Sequence, residues 1–335
     1  MSMKDVARHA GVSVATVSHV LNDTRRVAPA THARVLAAIE QLGYESNMLA
    51  RGLRTKRTMI IGLLVSDIQN PFFTSAVRGV EDAALPRGYH VVLCNTDEDL
   101  QREDEYLREL RKRQVDGLIL ASSAPRLQPV HQPWSFDRPV VFMDREVAGV
   151  QGGSIRVDNV KGMHLAAEHL VQLGHSRIAM VSGPLDKISG YERYHGLRKA
   201  LADLGLNLDD ELVRFGDFRL DGGKRAAADL FAVSPPPTAV VVANNLMTLG
   251  CLLALRELGW QVPRDISVLG FDDMDWAPLM NPPLTTIKQP TYQMGEEAVE
   301  MLFEQMRGEE PRHVFLDPRL IVRQSTAPPG TASSP

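Results

Sequence analysis

Cysteine is scarce: Cys94 and Cys251 are the only two in 335 residues, far apart and each within an apolar segment. That excludes a disulfide-stapled fold and any zinc-ligand spacing, and it reads as buried free thiols in a reducing cytoplasm. Long apolar runs are also missing. The stretch Met59–Val65 is far too short to cross a bilayer, and Lys4, Asp5 and Arg8 interrupt any apolar signal segment at the start. No membrane partner is therefore expected. Catalytic signatures are absent as well: there is no GxGxxG, Walker A, GxSxG or HExxH sequence. The ten histidines are scattered, and the adjacent carboxylates Asp272 and Asp273 have no accompanying base, metal cluster or nucleophile. No enzyme, cofactor or metal is expected; a hydrolase or dehydrogenase would rest on fold analogy alone.

What the chain does contain is a small cationic head. Residues 1–58 hold nine Lys or Arg against four acids, a net +5, whereas the whole chain carries −4, so the remainder carries −9. A weakly acidic protein with one basic end binds nucleic acid with that end. The segment MKDVARHAGVSVATVSHVLN (Met3–Asn22) fits two crossed helices. Ala7 is small enough for close approach, and Gly11 sits at a turn where positive φ favours glycine. Val6, Ala10, Val12, Val17 and Val20 form the buried seam, and Ser13 caps the second helix. That leaves Val14, Ala15 and Thr16 facing outward, as a recognition helix does.

After residue 58 the pattern becomes alternating strand and helix. Short Val, Ile and Leu runs at Ile60–Val65, Val91–Cys94, Leu118–Ala121, Val140–Met143, Ile178–Val181, Val240–Ala243 and Val268–Phe271 predict strands buried on both faces. Helical stretches between them include Ala76–Leu85, Glu103–Arg113, Gly162–Leu173, Tyr194–Leu204, Lys224–Phe231 and Leu246–Leu258. The class is α/β, and the length favours two lobes over one large sheet. The tail Thr326–Pro335, rich in Pro, Ser, Ala and Gly, reads as disordered.

In open α/β sheets, ligands bind beyond the carboxyl ends of strands. There the sequence places Asn70, Phe72 and Phe73, then Asp144 and Arg145, then Lys187, Ser189 and Arg193, then Asn244 and Asn245, then Asp272 and Asp273, and finally Gln289. Carboxylates and amides exchange hydrogen bonds with hydroxyls, Arg forks across two of them, and Phe faces cover ring C–H groups. For each residue alone the alternative is a helix cap or surface ion pair, and Asp144 and Asp273 look the most cap-like.

Nearly the whole chain resembles the lactose repressor family (LacI/GalR-type regulators). The resemblance runs from KDVARHAGVSVATVSHVLN and ARGLR through GLLVSDIQNPFF, VDGLIL, LGHSRIAMVSGP and DISVLGFDD to PPLTTIKQP. It implies a helix-turn-helix head (1–45), a hinge helix and linker (46–58), an effector-binding and dimerisation core of two Rossmann-like lobes joined by crossover strands (59–325), and a tail (326–335). The core is similar to periplasmic sugar-binding proteins. A homodimer or tetramer on a near-palindromic operator is implied, located in the cytoplasm at the nucleoid.

The family pattern assigns operator contacts to the head and hinge. Val14, Ala15 and Thr16 meet major-groove edges, while Ser18, His19, Asn22 and Arg25 join Thr16 in fixing backbone register, with His19 a candidate for a base contact. Leu53 is the minor-groove wedge, with Ala50 allowing close helix packing and Arg54 beside it. Asn47–Thr55 spans only about two turns, below the length at which isolated helices become stable, so it is expected to be helical only when paired on DNA. Ser46 stands where relatives often carry Pro. In the core, Asn70, Phe72, Phe73, Asp144, Arg145, Arg193, Asn244, Asp272 and Gln289 resemble the sugar contacts of ribose-binding proteins, with Phe72 and Phe73 sandwiching the ring. Purine-sensing relatives tend to carry an aromatic where Arg145 stands. Asn245 replaces a common Asp, and Lys187, Phe218 and Trp276 are candidate contacts to a charged or larger ligand. A neutral monosaccharide is the favoured effector, with a sugar phosphate, sugar acid or nucleoside as alternatives.

Overall fold

The computed structural model describes residues 1–22, 25–44, 57–125, 136–147 and 149–330, and only the backbone of Asn22. The chain divides into two compact units, Met1–Thr58 and Met59–Pro335.

Among its described residues the first unit holds three helices, α1 (Met3–Ala10), α2 (Val14–Asn22) and α3 (Pro29–Leu42). Ser2 and Asp5 form a capping box at the start of α1, satisfying two of the backbone donors that a helix start leaves free. Gly11 ends α1 in the left-handed region at φ 62°, and Ser13 Oγ accepts from the Thr16 backbone N–H at 3.1 Å to start α2. Val6, Ala7 and Ala10 pack with Val17 and Val20 of α2 and with Val35 and Ala38 of α3. Val12, expected in the same seam, is only partly buried.

The second unit contains two six-stranded sheets. Along the chain run β1 (Ile60–Val65), α4 (Pro71–Ala84), β2 (His90–Asn95), α5 (Leu100–Lys112), β3 (Gly117–Leu120), β4 (Val140–Met143) and β5 (Gly153–Val157). The chain then passes to the second lobe with α6 (Asn159–Gln172), β6 (Ile178–Ser182), α7 (Ile188–Asp203), β7 (Val213–Phe215), α8 (Leu220–Phe231), β8 (Ala239–Val242), α9 (Asn245–Leu258), β9 (Ser267–Phe271) and β10 (Thr285–Lys288). It returns to the first lobe for α10 (Thr291–Met306) and β11 (His313–Leu316), and ends in the second with β12 (Arg319–Ile321). The sheet orders are β11-β5-β4-β3-β1-β2 and β12-β10-β9-β8-β6-β7. Every pairing is parallel except β10 with β12. That exception follows from the path: β12 enters its sheet next to the end of β10, with Arg319 opposite Lys288, and must run back.

The interior strands β3, β4, β6, β8 and β9 are buried along their whole length, as parallel strands covered by helices on both faces must be. Helices α4 and α10 pack closely enough that a Cβ on Gly295 would lie 2.1 Å from the Ala76 carbonyl oxygen, and one on Gly79 would lie 2.1 Å from that of Tyr292. The helices α8 and α9 meet the same way, with a Gly250 Cβ falling 2.2 Å from the Leu220 carbonyl oxygen. No helix among the described residues is long and apolar enough to cross a membrane.

The expected disordered tail does not begin at Thr326. Thr326 is buried, its hydroxyl lies 2.8 Å from His169 Nε2 and 3.0 Å from Thr285 Oγ1, and the Ala327 carbonyl accepts from Ser267 Oγ at 3.0 Å and lies 2.9 Å from His175 Nε2. Burial pushes the His175 pKa below its ordinary value, which keeps the ring neutral. Compositional bias hid these partners, which come from β9, β10 and α6 and its exit turn. Residues 331–335 lie outside the described residues.

Gly295→Ala is expected to cost about 1–3 kcal/mol in urea unfolding, because the added methyl meets backbone that cannot move independently. A loss below about 0.5 kcal/mol would show that the two helices can separate freely.

Candidate functional site

A cavity open to solvent lies within the second unit, at the carboxyl ends of strands from both sheets. Of the fifteen residues that the sequence nominates for effector contact, eleven line it; Lys187, Asn245, Asp273 and Trp276 do not.

From the first lobe, Asn70 caps α4 by accepting from the Phe72 N–H at 3.0 Å. Phe72 and Phe73, in the first turn of α4, face the cavity. Phe72 and Phe73 do not form the expected sandwich. Their rings meet edge to face, 4.9 Å between centroids and 84° apart, so no ligand ring fits between them and together they make one apolar wall. After β4, Asp144 takes a positive φ of 66° and caps no helix, contrary to the cap-like reading. Asp144 and Arg145 are both buried. Burial raises the Asp144 pKa, with Arg145 and Arg193 pulling it back. Burial opposes the charge on Arg145 too, but Glu98 and Asp144 hold its guanidinium more firmly protonated than usual. Arg145 donates to Glu98 Oε2 at 2.7 Å, yet its buried Nε has no hydrogen-bond partner.

From the second lobe, Ser189 and Arg193 project from the start of α7. Arg193 donates from Nε to Asn159 Oδ1 at 2.8 Å and from an η nitrogen to the Ala243 carbonyl at 2.6 Å. Its guanidinium also lies 3.9 Å from the centre of the Phe271 ring, and burial lowers its pKa against the pull of Asp272. Asn244 caps α9 through the Met247 N–H at 3.0 Å and ties down the Phe218 carbonyl at 2.9 Å. Asp272 accepts from Gln289 Nε2 and from the Asn245 N–H; burial raises its pKa. Gln289 sits on the link between β10 and α10, and its buried Oε1 is unpartnered.

The other four candidates fall elsewhere. Lys187 donates its ammonium to the Ser123 carbonyl and lies 3.7 Å from Glu98. Trp276 packs against the core of the second lobe. Asp273 caps no helix, contrary to the cap-like reading, and forms a part-buried ion pair with Arg323 at 2.7 Å; Arg323 and Thr286 outweigh its partial burial and lower its pKa. Asn245 is buried and donates across the lobes to Asn70 Oδ1 at 2.7 Å.

Sequence reasoning missed four cavity residues: Asp67, Glu98, Asp217 and Arg219. The strand-end rule would have found Asp67 after β1, Glu98 after β2, and Asp217 and Arg219 after β7. Strand β7 was not anticipated because it is three residues long. A second signal is conformational. Among the described residues seven non-glycine residues have positive φ, and four of them, Glu98, Asp144, Phe218 and Asp272, line this cavity. Such strain persists only where surroundings hold it, and it concentrates at binding sites.

In the first unit, Val14 and Ala15 at the start of α2 are exposed, Thr16, Ser18 and His19 are half-buried, and Arg25 is exposed beyond its end. The Thr16 hydroxyl lies 2.9 Å from Ser13 Oγ. Ala50, Leu53 and Arg54 lie outside the described residues, as does the side chain of Asn22.

Comparison with known proteins gives a consistent result. The family model described as bacterial regulatory proteins, lacI family, matches residues 2–47, and one described as a periplasmic binding protein-like domain matches residues 167–326. The ribose operon repressor of Escherichia coli (strain K12) is 42% identical over 332 residues, covering 97% of this chain and 99% of that protein. The HTH-type transcriptional repressor PurR of Photobacterium profundum is 38% identical over 329 residues, covering 97% and 98%. Among solved structures, the lac repressor dimer bound to operator and the anti-inducer ONPF superposes with a TM-score of 0.88 at 30% identity, covering 98% and 99%. A lacI-family transcriptional regulator from Enterococcus faecium with bound ribose gives a TM-score of 0.72 at 33% identity, covering 80% and 99%.

Arg193→Lys keeps the charge but loses the fork that satisfies Asn159 and Ala243. It is expected to lower unfolding free energy by about 1–3 kcal/mol through the acceptors left unpaired. An unchanged urea midpoint would mean that these two contacts hold nothing together.

Proposed function

The chain belongs to the lacI family of bacterial regulatory proteins: it is a DNA-binding transcriptional repressor with an effector-binding core, and not an enzyme. From that premise we propose that it binds a near-palindromic operator in the cytoplasm as a dimer and responds to a neutral monosaccharide held in the cavity between its lobes.

The observation that carries the effector reading is the convergence of eleven strand-end residues on one cavity in which the buried Arg145 Nε, 3.4 Å from Asp144 Oδ2, and the buried Gln289 Oε1 make no hydrogen bond. A buried polar group left without a partner costs stability, and a hydroxyl can accept from the first or donate to the second. The Phe72 and Phe73 wall supplies the apolar face that covers sugar C–H groups. Ribose is bound by the Enterococcus faecium regulator, and the Escherichia coli relative is named for the ribose operon; both favour a pentose. The aromatic expected at position 145 for a purine sensor is absent, which weighs against the ligand class suggested by the PurR relatives.

For the operator, the exposed Val14 and Ala15 with Thr16 are the proposed base-reading residues, and Ser18, His19, Asn22 and Arg25 the backbone contacts. Leu53 is the proposed minor-groove wedge, with Ala50 and Arg54 supporting it. An effector alters operator affinity only by binding the DNA-competent and incompetent states unequally. Gln289 gives that difference a physical handle, since it touches the cavity and belongs to a link between the lobes.

A thermal-shift screen of sugars, sugar phosphates and nucleosides against the full chain is expected to single out a neutral sugar. Arg145→Ala and Asp272→Ala should each abolish most of that stabilisation, and unaltered shifts in both variants would place the ligand elsewhere. In gel shifts at fixed salt, Thr16→Ala and Leu53→Ala should weaken operator binding at least about tenfold, equivalent to roughly 1.4 kcal/mol, with effector binding retained. Unchanged operator affinity in both would refute the assignments.

A further inference from the structure

The cations around the cavity are already spoken for. Arg145 of the first lobe donates to Glu98 Oε2 at 2.7 Å. Lys187 of the second lobe lies 3.7 Å from the same oxygen, with its ammonium also on the Ser123 carbonyl. Arg219, also of the second lobe, donates to the Asp97 carbonyl at 3.2 Å, next to Glu98. Arg193, the remaining cation of the site, is engaged by Asn159 and the Ala243 carbonyl and faces Asp272 and Asp144.

Glu98 is thus where three cations from two lobes converge. Two successive residues in the left-handed region, Asp97 at φ 55° and Glu98 at φ 61°, form the turn that carries it. The Ile68 N–H donates to Asn95 Oδ1 at 2.9 Å and Asn95 Nδ2 donates to Asp97 Oδ1 at 2.7 Å, tying this turn to the segment after β1. Arg102 adds an ion pair on Asp97. The side chain of Glu98 is only 24% exposed, so solvent screens it less than a surface carboxylate.

Resting on the reading of this cavity as the effector site, we propose that Glu98 determines effector specificity: it occupies the positive field of Arg145, Lys187 and Arg219 and so restricts the site to uncharged ligands. An anionic group entering here meets a fixed carboxylate first. Asp67, Asp144, Asp217 and Asp272 around the same cavity add to that repulsion. Without Glu98, the three cations would form an anion site assembled from both lobes, and a phosphate ester would then help to draw the lobes together.

The test compares D-ribose, D-ribose 5-phosphate and inorganic phosphate by titration calorimetry at low and physiological salt. The proteins are the full-length wild type, Glu98→Gln and Glu98→Gln/Lys187→Met. The wild type is expected to prefer the neutral sugar over its phosphate by at least about a hundredfold. Glu98→Gln should gain at least about tenfold in affinity for the phosphate ester, with a salt dependence that the neutral sugar lacks, and the added Lys187→Met should reverse the gain. Wild-type protein that binds ribose 5-phosphate as tightly as ribose overturns the proposal whether or not the variants fold. So does a cooperatively folding Glu98→Gln that gains neither the ester nor inorganic phosphate. If ribose binds to none of the three proteins while Glu98→Gln gains phosphate, the charge filter stands and the neutral-pentose reading of the site fails.

Discussion

The geometry of the second unit depends on how little chain joins its two sheets. A single residue, Asp158, separates β5 from α6; Gln289 and Pro290 separate β10 from α10; Asp317 and Pro318 separate β11 from β12. Each link leaves a sheet at the carboxyl end of a strand, so the carboxyl ends of both sheets must face one another. That is where side chains are free to converge on a ligand rather than on a helix. The cavity, the antiparallel last strand and the placement of Gln289 all follow from these three short passages.

Having brought the two sheets face to face, the chain fills the gap with charge that it cannot leave unbalanced. Buried ions are tolerated only when paired and hydrogen-bonded. Here Arg145 is matched with Glu98 and Asp144, and Arg193 with acceptors on α6 and after β8. The strained turns at Asp144, Phe218 and Asp272 hold these partners in register. Among the described cavity residues two buried polar atoms make no hydrogen bond: Arg145 Nε, which lies 3.4 Å from Asp144 Oδ2, and Oε1 of the link residue Gln289. On the proposed reading, a ligand that bonds to both acts on the spacing between lobes as well as on the cavity wall.

Much of this was legible beforehand because buried parallel strands leave a plain mark: short runs of Val, Ile and Leu without alternation. All seven strands expected on that ground are present within a residue or two. Strand β10 is marked only by its end, Thr285–Ile287 ahead of Gln289; the strands that escape, β5, β7, β11 and β12, either alternate between exposed and half-buried residues, as β11 does, or are short and carry polar residues. A hydrophobic-period reading starts several helices late for a related reason. The first turns of α4, α7 and α8 carry Pro71, Ser189, Gly190 and Asp221, which look like loop to a hydrophobic-period reading yet sit where a helix meets a ligand pocket. In the cavity, position along a strand end was enough to nominate residues. It could not foresee that Phe72 and Phe73 would pack on each other, that Lys187 would be captured by the opposite lobe, or that Glu98 would gather three cations. Those outcomes depend on which loops meet across the cleft.

The close glycine contact between α4 and α10 joins segments made at very different times. The first lobe begins with β1, but its sheet lacks β11 and its face lacks α10 until the chain has been extended past residue 316, after nearly all of the second lobe. During synthesis the second lobe, continuous from α6 to β10, can complete its core while the first still exposes the groove that α10 will fill. At ribosomal speeds of about 5–20 residues per second, that leaves an interval of about one to six seconds in which the second lobe has its apolar core while the first is still open to chaperones or to misassembly with a neighbouring nascent chain.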